Sequence, residues 1–254
     1  MTDLKNTQPQ TRYKILLIGD KCLDIYQYGT IDRLSPEAPV PVFVPTYKET
    51  RAGMAGNVLA NLEALGCEIN FLHGKESQKT RLIDSRSKQH IARIDEDVRS
   101  APIRLETVIP DIYDAVVISD YAKGTVDYEL IESILEEVEC PVFVDTKLTD
   151  LERLQGAWVK INSIEYSKIK SECTGLIVTE GEAGAKVIHH DIFESAPKVE
   201  VVDVTGAGDT FLAALTYQFL VTKDIRQAVS FANRAASITV QHFGVYAPTL
   251  KEIK

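Results

Sequence analysis

The chain has 254 residues, 44% hydrophobic and 26% charged, with a formal net charge of −9 at pH 7. That length suits one large α/β domain with a sizeable core, and the acid excess argues against nucleic acid or an anionic membrane as partner, since either asks for a basic face. No apolar run approaches the ~20 residues of a membrane span, the polar start lacks the apolar stretch of a signal peptide, and Cys22, Cys67, Cys140 and Cys173 form no C-x-x-C pair; a cytoplasmic protein with reduced thiols is expected.

In chain order, residues 1–13 read as a disordered polar tail and 14–254 as a single domain. Lys14 to Gly19 (KILLIG) is a short, continuously apolar run, the pattern of a strand buried on both faces of a parallel sheet. Residues 29–51, with Pro36, Pro39, Pro41 and Pro45, are too proline-rich for a central strand, yet VPVFVPTY is β-forming. Val58, Leu62 and Leu65 make a helical stripe closed by Gly66. Residues 81–95 alternate like a strand pair with two solvated faces. Together, 29–51 and 81–95 predict a small β-sheet projecting from the main domain as a lid. Buried-strand runs recur at 115–119, 141–144, 157–161 and 176–179, and helical stripes at 130–138 and 225–236. Strands alternating with helices predict an α/β fold with a mainly parallel sheet.

The chemistry concentrates in Val202 to Leu215, VDVTGAGDTFLAAL, where an apolar strand end runs through TGAGD straight into a helical pattern. Gly206, Ala207 and Gly208 carry little or no side chain, so a phosphate could approach their backbone N–H groups at the positive end of that helix. Asp209 falls in the first turn. A carboxylate with a reference pKa of about 3.9 is ionised at neutral pH and can take a proton from a nearby hydroxyl. The same pattern also describes a glycine-rich helix start with Asp209 as a dipole partner. There is no G-x-x-x-x-G-K-[ST], no G-x-S-x-G and no G-x-G-x-x-G, which removes P-loop, hydrolase and dinucleotide-binding readings.

DVTGAGD at 203–209 resembles the C-terminal signature of the ribokinase-like (PfkB) carbohydrate kinases, and RAGMAGNVLANLEALG at 51–66 resembles their N-terminal glycine-rich signature. NSIE at 162–165 resembles the family's N-x-x-E motif, and TEGEAG at 179–184 its nucleotide turn. The resemblance implies a ribokinase-like three-layer sandwich with the β lid over the substrate, ATP and Mg²⁺ as cofactors, and Asp209 as base beside the Gly206, Ala207 and Gly208 anion hole. It implies sugar contacts from Asp24, Gly53, Asn57 and Asp120, with Arg93, Lys123 and Lys147 as candidate cations for a phosphorylated sugar. It implies nucleotide contacts from Asn162, Glu165, Thr179, Gly181, Gly184 and Asn233, with Glu165 acting on the metal mostly through water. RLSPEAPVPV, ISDYAKG and residues 144–166 are similar to the kinase half of the ADP-heptose synthases, which makes a heptose 7-phosphate at O1 the expected acceptor, the alternatives being another sugar or alcohol acceptor or a reduced, non-catalytic relative that binds nucleotide or sugar. Departures are Met54 where the family has a second glycine, a missing helix-strand unit between Leu72 and Arg81, and a missing helical segment between Tyr166 and Thr174. The apolar groups of the lid predict a homodimer formed through it.

Overall fold

A computed structural model describes residues 12–105 and 112–253. The disordered tail expected over 1–13 lies outside the described residues except for Arg12 and Tyr13. Tyr13 is packed, its hydroxyl donating to the Leu220 carbonyl and its ring meeting Tyr217 edge-on.

The elements in order are β1 (Lys14–Leu34), β2 (Pro41–Met54), α1 (Ala55–Ala64), β3 (Glu68–Asp84), β4 (His90–Glu96), β5 (Ala115–Ser119), α2 (Tyr128–Glu137), β6 (Val142–Asp145), β7 (Trp158–Asn162), α3 (Ser163–Tyr166), β8 (Leu176–Thr179), β9 (Ala185–Val187), β10 (Ile192–Glu194), α4 (Ala207–Thr222), α5 (Ile225–Thr239) and α6 (Leu250–Ile253). They build one 10-stranded sheet in the order β10-β9-β8-β7-β6-β5-β1-β3-β4, with β2 also pairing β1. From β3 through β1, β5, β6 and β7 to β8 the neighbours are parallel.

The apolar runs fill both faces of this parallel part. Ile15, Leu17, Val117, Phe143 and Ile177 pack with α1, α4 and α5 on one side; Leu16, Ile18, Val116, Val144, Val159 and Val178 pack with α2 on the other. Each fully buried aliphatic side chain contributes about 1.5–3 kcal/mol, so strands of this kind need no polar face. Helices on both faces and a mostly parallel sheet make the three layers of the expected α/β class.

Three readings of the sequence are corrected. KILLIG does not end at Gly19: after a register shift between Gly19 and Lys21, β1 runs on to Leu34 and pairs with β2 and β3 in a β extension. With no helix-strand unit after Leu72, β3 likewise continues unbroken from the core into that extension, then turns at 85–89 into β4. Val201, Val202 and Val204 are exposed and form no strand, because the backbone there bonds to the end of α5: the amides of Val202 and Asp203 both donate to the Val240 carbonyl.

Met54 takes φ 55° and ψ −134° at the start of α1. A side chain in that region stores on the order of 1–3 kcal/mol of strain, which is the physical cost of replacing the glycine the N-terminal signature has there.

Candidate active site

Ligands of open parallel sheets bind beyond the carboxyl ends of the strands, and the polar residues of this chain gather there. Gly206 caps α4 with φ 81°, a left-handed conformation that favours glycine and aims the first-turn amides outward. The next residues, Ala207 and Gly208, lie on the wall of a cavity of about 660 Å³ that also gathers Thr179, Gly181, Gly184 and Asn233. Asn233 reaches back to the Glu194 carbonyl at 2.7 Å, fixing the cavity's far side.

Asp209 is buried, 4% exposed. Its Oδ1 accepts from the Tyr121 hydroxyl at 2.6 Å and its Oδ2 from Asn57 Nδ2 at 2.9 Å. Burial pushes the Asp209 carboxyl up to about 6, against the lowering effect of the Tyr121 and Asn57 bonds; nearby Asp145 raises it and Lys160 lowers it. Tyr121 itself is held well above its ordinary range by burial and by the Asp209 charge. Asn57 is anchored in turn by Asn61, whose Nδ2 donates to the Asn57 carbonyl at 2.8 Å. The result is a carboxylate aimed by two donors and kept from bulk water.

Toward the extension, Asp24 lies on the inner face of β1 and accepts from Arg81 at 2.5 Å. Gly53, on the neighbouring strand, leaves the space that the Asp24 carboxylate occupies. Tyr26 is flanked by the Arg51 and Arg81 guanidinium groups, 5.0 and 5.1 Å from its ring centre. Arg51 also donates to the Phe243 and Val245 carbonyls at 3.0 and 3.2 Å, and the Gly244 amide between them donates to Asp203 at 2.8 Å. Asp203 therefore holds its own loop together, with Thr205 donating to its other oxygen.

Several expected residues are committed elsewhere. Asp120 does not face an open site: Oδ1 accepts from the Ala122 amide at 2.7 Å and Oδ2 from Thr146 and the Lys147 amide at 2.7 and 3.2 Å, so it organises the loops around it, and burial raises its carboxyl. Asn162 and Glu165 cap α3 reciprocally, and the remaining Glu165 oxygen pairs with Lys147. Arg93 pairs with Asp95, and Lys123 with Asp97 at 2.6 Å, both at the rim.

Sequence reasoning missed Tyr121, Arg81, Asp145 and Lys160. Lys160 gave a signal: one charge inside a run of buried strand residues has to be paired or to have a task.

The comparisons with known proteins agree with this geometry. The description "pfkB family carbohydrate kinase" matches residues 132–252. A D-beta-D-heptose 7-phosphate kinase of Bordetella bronchiseptica is 30% identical over 95% of this chain and 95% of its own length. The chain belongs to the PfkB family of carbohydrate kinases. Members of this family are phosphotransferases with an alcohol group as acceptor. A "Bifunctional protein HldE" of Nitratiruptor is 34% identical over 95% of this chain, but the chain spans only 64% of that relative's length. Their alignment runs over 301 positions against 254 residues here, in keeping with the shortened segments after Leu72 and Tyr166. Among solved structures, Thermotoga maritima ribokinase has a TM-score of 0.69 at 15% identity, covering 95% of this chain and 98% of its own. Escherichia coli phosphofructokinase-2 has 0.71 at 16%, covering 95% and 96%. These show the ribokinase-like fold of this PfkB kinase. No helix among the described residues is long and apolar enough to cross a membrane.

Proposed function

We propose that this PfkB kinase moves the γ-phosphoryl group of ATP onto a sugar hydroxyl with Asp209 as general base, and that its acceptor is a heptose 7-phosphate phosphorylated at O1. The observation that carries the reading is the Asp209 carboxylate, aimed by Tyr121 and Asn57 directly behind the Gly206–Gly208 turn. Such transfer is mostly positioning and electrostatics. The first-turn amides take the charge of the transferring group, Thr179, Gly181, Gly184 and Asn233 border the nucleotide, and Asp24, Gly53 and Asn57 meet the acceptor. Arg51 and Arg81 beside Tyr26 give a phosphorylated sugar its counter-charge, joined by Arg93 and Lys123 where the sugar phosphate displaces their partners Asp95 and Asp97. The heptose assignment is supported by the names of relatives such as the Bordetella kinase.

Mg²⁺ suits the donors present. The described residues offer no cluster of three acid, His or Cys side chains, whereas Glu165 and the unpartnered, buried Asp145 Oδ1 are hard oxygen donors beyond neighbouring strands. Mg²⁺ commonly keeps several waters and binds through one or two carboxylates plus substrate phosphates. When bound it would neutralise phosphate charge, with Glu165 acting through its water shell.

The extension supports a homodimer. Its outer face carries Leu23, Ile25, Leu82 and an exposed Ile94, interleaved with Gln27, Gln78 and Thr80 by the strand register, and a lone small sheet with a partly apolar face is marginal. A cytoplasmic location follows from the proposed substrates.

Incubation with Mg-ATP and a panel of sugars and sugar phosphates, following ADP release, tests the reading. Heptose 7-phosphate is expected to be turned over far better than ribose or fructose. Equal turnover of all three would sink the heptose assignment, and no turnover of any acceptor would sink the kinase reading.

A further inference from the structure

A strand buried on both faces has little use for a lysine, yet β7 places Lys160 between the fully buried Val159 and Ile161. Side chains alternate along a strand. Val159 and Ile161 pack on the α2 side, while Trp158 packs on the α4 side, so Lys160 is directed toward α4. Its side chain is 5% exposed and donates from Nζ to Asp145 Oδ2 at 2.6 Å, the Asp145 side chain being 8% exposed. The other oxygen of Asp145 is buried without a hydrogen-bond partner among the described residues. Desolvating two charges costs several kcal/mol per ion, repaid only when the remaining donors and lone pairs are satisfied. A pair with an open carboxylate oxygen is therefore a poor staple for the fold.

Its surroundings suggest another task. A Cβ added to Gly208 would sit 2.9 Å from Lys160 Nζ. The missing side chain at the floor of the anion hole is what leaves the ammonium group open to the turn above it. Both Lys160 and Asp145 act electrostatically on Asp209, and Asp145 acts on the neutral Tyr121 as well, so the four groups form one coupled polar cluster at the first turn of α4.

We propose that Lys160 is a further catalytic residue of this kinase: its ammonium group, held by Asp145, donates through the gap at Gly208 to an oxygen of the phosphoryl group in transit. The inference rests on the kinase reading. In the step, the acceptor hydroxyl proton passes to the Asp209 carboxylate. The acceptor oxygen forms its bond to the γ-phosphorus as the bond from that phosphorus to the β–γ bridging oxygen breaks, leaving the electron pair on ADP. Lys160 transfers no proton; it supplies positive charge in a dry site, where a fixed donor is worth more than in water. Asp145 provides the counter-charge a buried ammonium needs when no phosphate is present.

The test uses the full chain, with nucleotide binding measured by calorimetry and turnover by ADP release. Lys160→Met is expected to lower kcat by about 10²–10³, the usual effect of losing one such donor. It should weaken binding of the triphosphate analogue adenylyl-imidodiphosphate with Mg²⁺ by at least about tenfold and that of ADP by less than about threefold. The double variant Asp145→Asn/Lys160→Met removes the buried pair together. It should be more thermostable than Lys160→Met alone while its kcat stays low. It also keeps the test open should the single variant fail to fold. If Lys160 only neutralises Asp145, neither Lys160→Met nor the double variant loses the wild type's preference for adenylyl-imidodiphosphate over ADP, and the proposal falls. It also falls, with the kinase reading intact, if the wild type turns over and Lys160→Met matches it. A wild type that binds neither nucleotide, or binds both and transfers to no acceptor, overturns the kinase reading and this proposal with it.

Discussion

The two halves of β1 behave as different materials. From Ile15 to Gly19 every residue is buried, because helices cover the sheet on both sides; from Lys21 to Tyr28 burial alternates, with Cys22, Asp24, Tyr26 and Tyr28 turned in and Lys21, Leu23, Ile25 and Gln27 turned out. The core sheet and the extension each hold a buried ion pair, Lys160–Asp145 between β7 and β6 beneath the core side of the site and Arg81–Asp24 between β3 and β1 on the inner face of the extension. The core half can afford polar groups only where the strands end and chemistry begins. The extension carries Asp24 and Arg81 on its inner face beside the buried Tyr26, Tyr28 and Ile83 cluster, where the pair faces the site.

The largest effect expected is on the core side. Asp209→Asn keeps the size of the side chain but cannot take the acceptor proton, so kcat should fall by about 10²–10⁴ with nucleotide affinity nearly unchanged. Wild-type kcat should rise with pH through an acid limb near the Asp209 value of about 6, and near-normal kcat in the variant would leave Asp209 as a helix-start partner only. Stability moves the other way. Burial raises the folded-state pKa of Asp209 above its unfolded value, so the folded chain holds a proton that the unfolded chain releases. The Asp209 contribution is therefore present below the unfolded value of about 4 and is lost as pH rises through about 6. Asp209→Asn should stabilise the fold at pH 8 and not at pH 4, by on the order of 1–2 kcal/mol once weakened hydrogen bonds are set against relief of the buried charge, and raise the melting temperature accordingly. A melting temperature lowered at pH 8 would contradict the burial argument.

Next comes the extension. Arg81→Met leaves Asp24 buried without its partner and should cost about 3–5 kcal/mol, read by chemical denaturation. It should also raise the KM for the sugar acceptor more than that for ATP. Equal changes in both constants would mean that the extension does not contact the acceptor separately from the nucleotide.

Smaller still, Ile94→Glu charges the outer face of the extension and should convert a dimer to monomer by light scattering at tens of micromolar protein, with little change in melting temperature. A wild type that is monomeric at that concentration would remove the dimer proposal. The smallest effect belongs to Asp32→Asn, which breaks the fully exposed Arg86–Asp32 pair at the tip of the extension. Solvent screening makes such pairs nearly worthless, so no change in melting temperature is expected, and a clear loss would mean that the tip is covered in the assembled protein.

Short-range rules explain what could be read directly from the chain. The core strands at 115–119 and 176–179 emerged with the expected bounds, and those at 141–144 and 157–161 within a residue, because continuous apolar runs have no other place to go than a covered sheet. The start of α4 within TGAGD was equally plain, since its small residues suit a helix entry and a helical pattern follows directly. Thr179, Gly181, Gly184 and Asn233, far apart in the chain, do line one cavity.

What only the tertiary structure decided was the partner of each polar side chain. Nothing local to Asp120 says that Thr146 and the Lys147 amide will close on its carboxylate, and nothing local to Asn57 says that its amide will aim Asp209. The same holds for Lys160, whose run revealed an anomaly but not that Asp145 would meet it or that Gly208 would lie above it. Apolar patterning is a property of one segment against an averaged interior and needs only period and composition. A hydrogen bond or ion pair needs two particular atoms within about 3 Å, and that coincidence is set by the packing of segments a hundred residues apart.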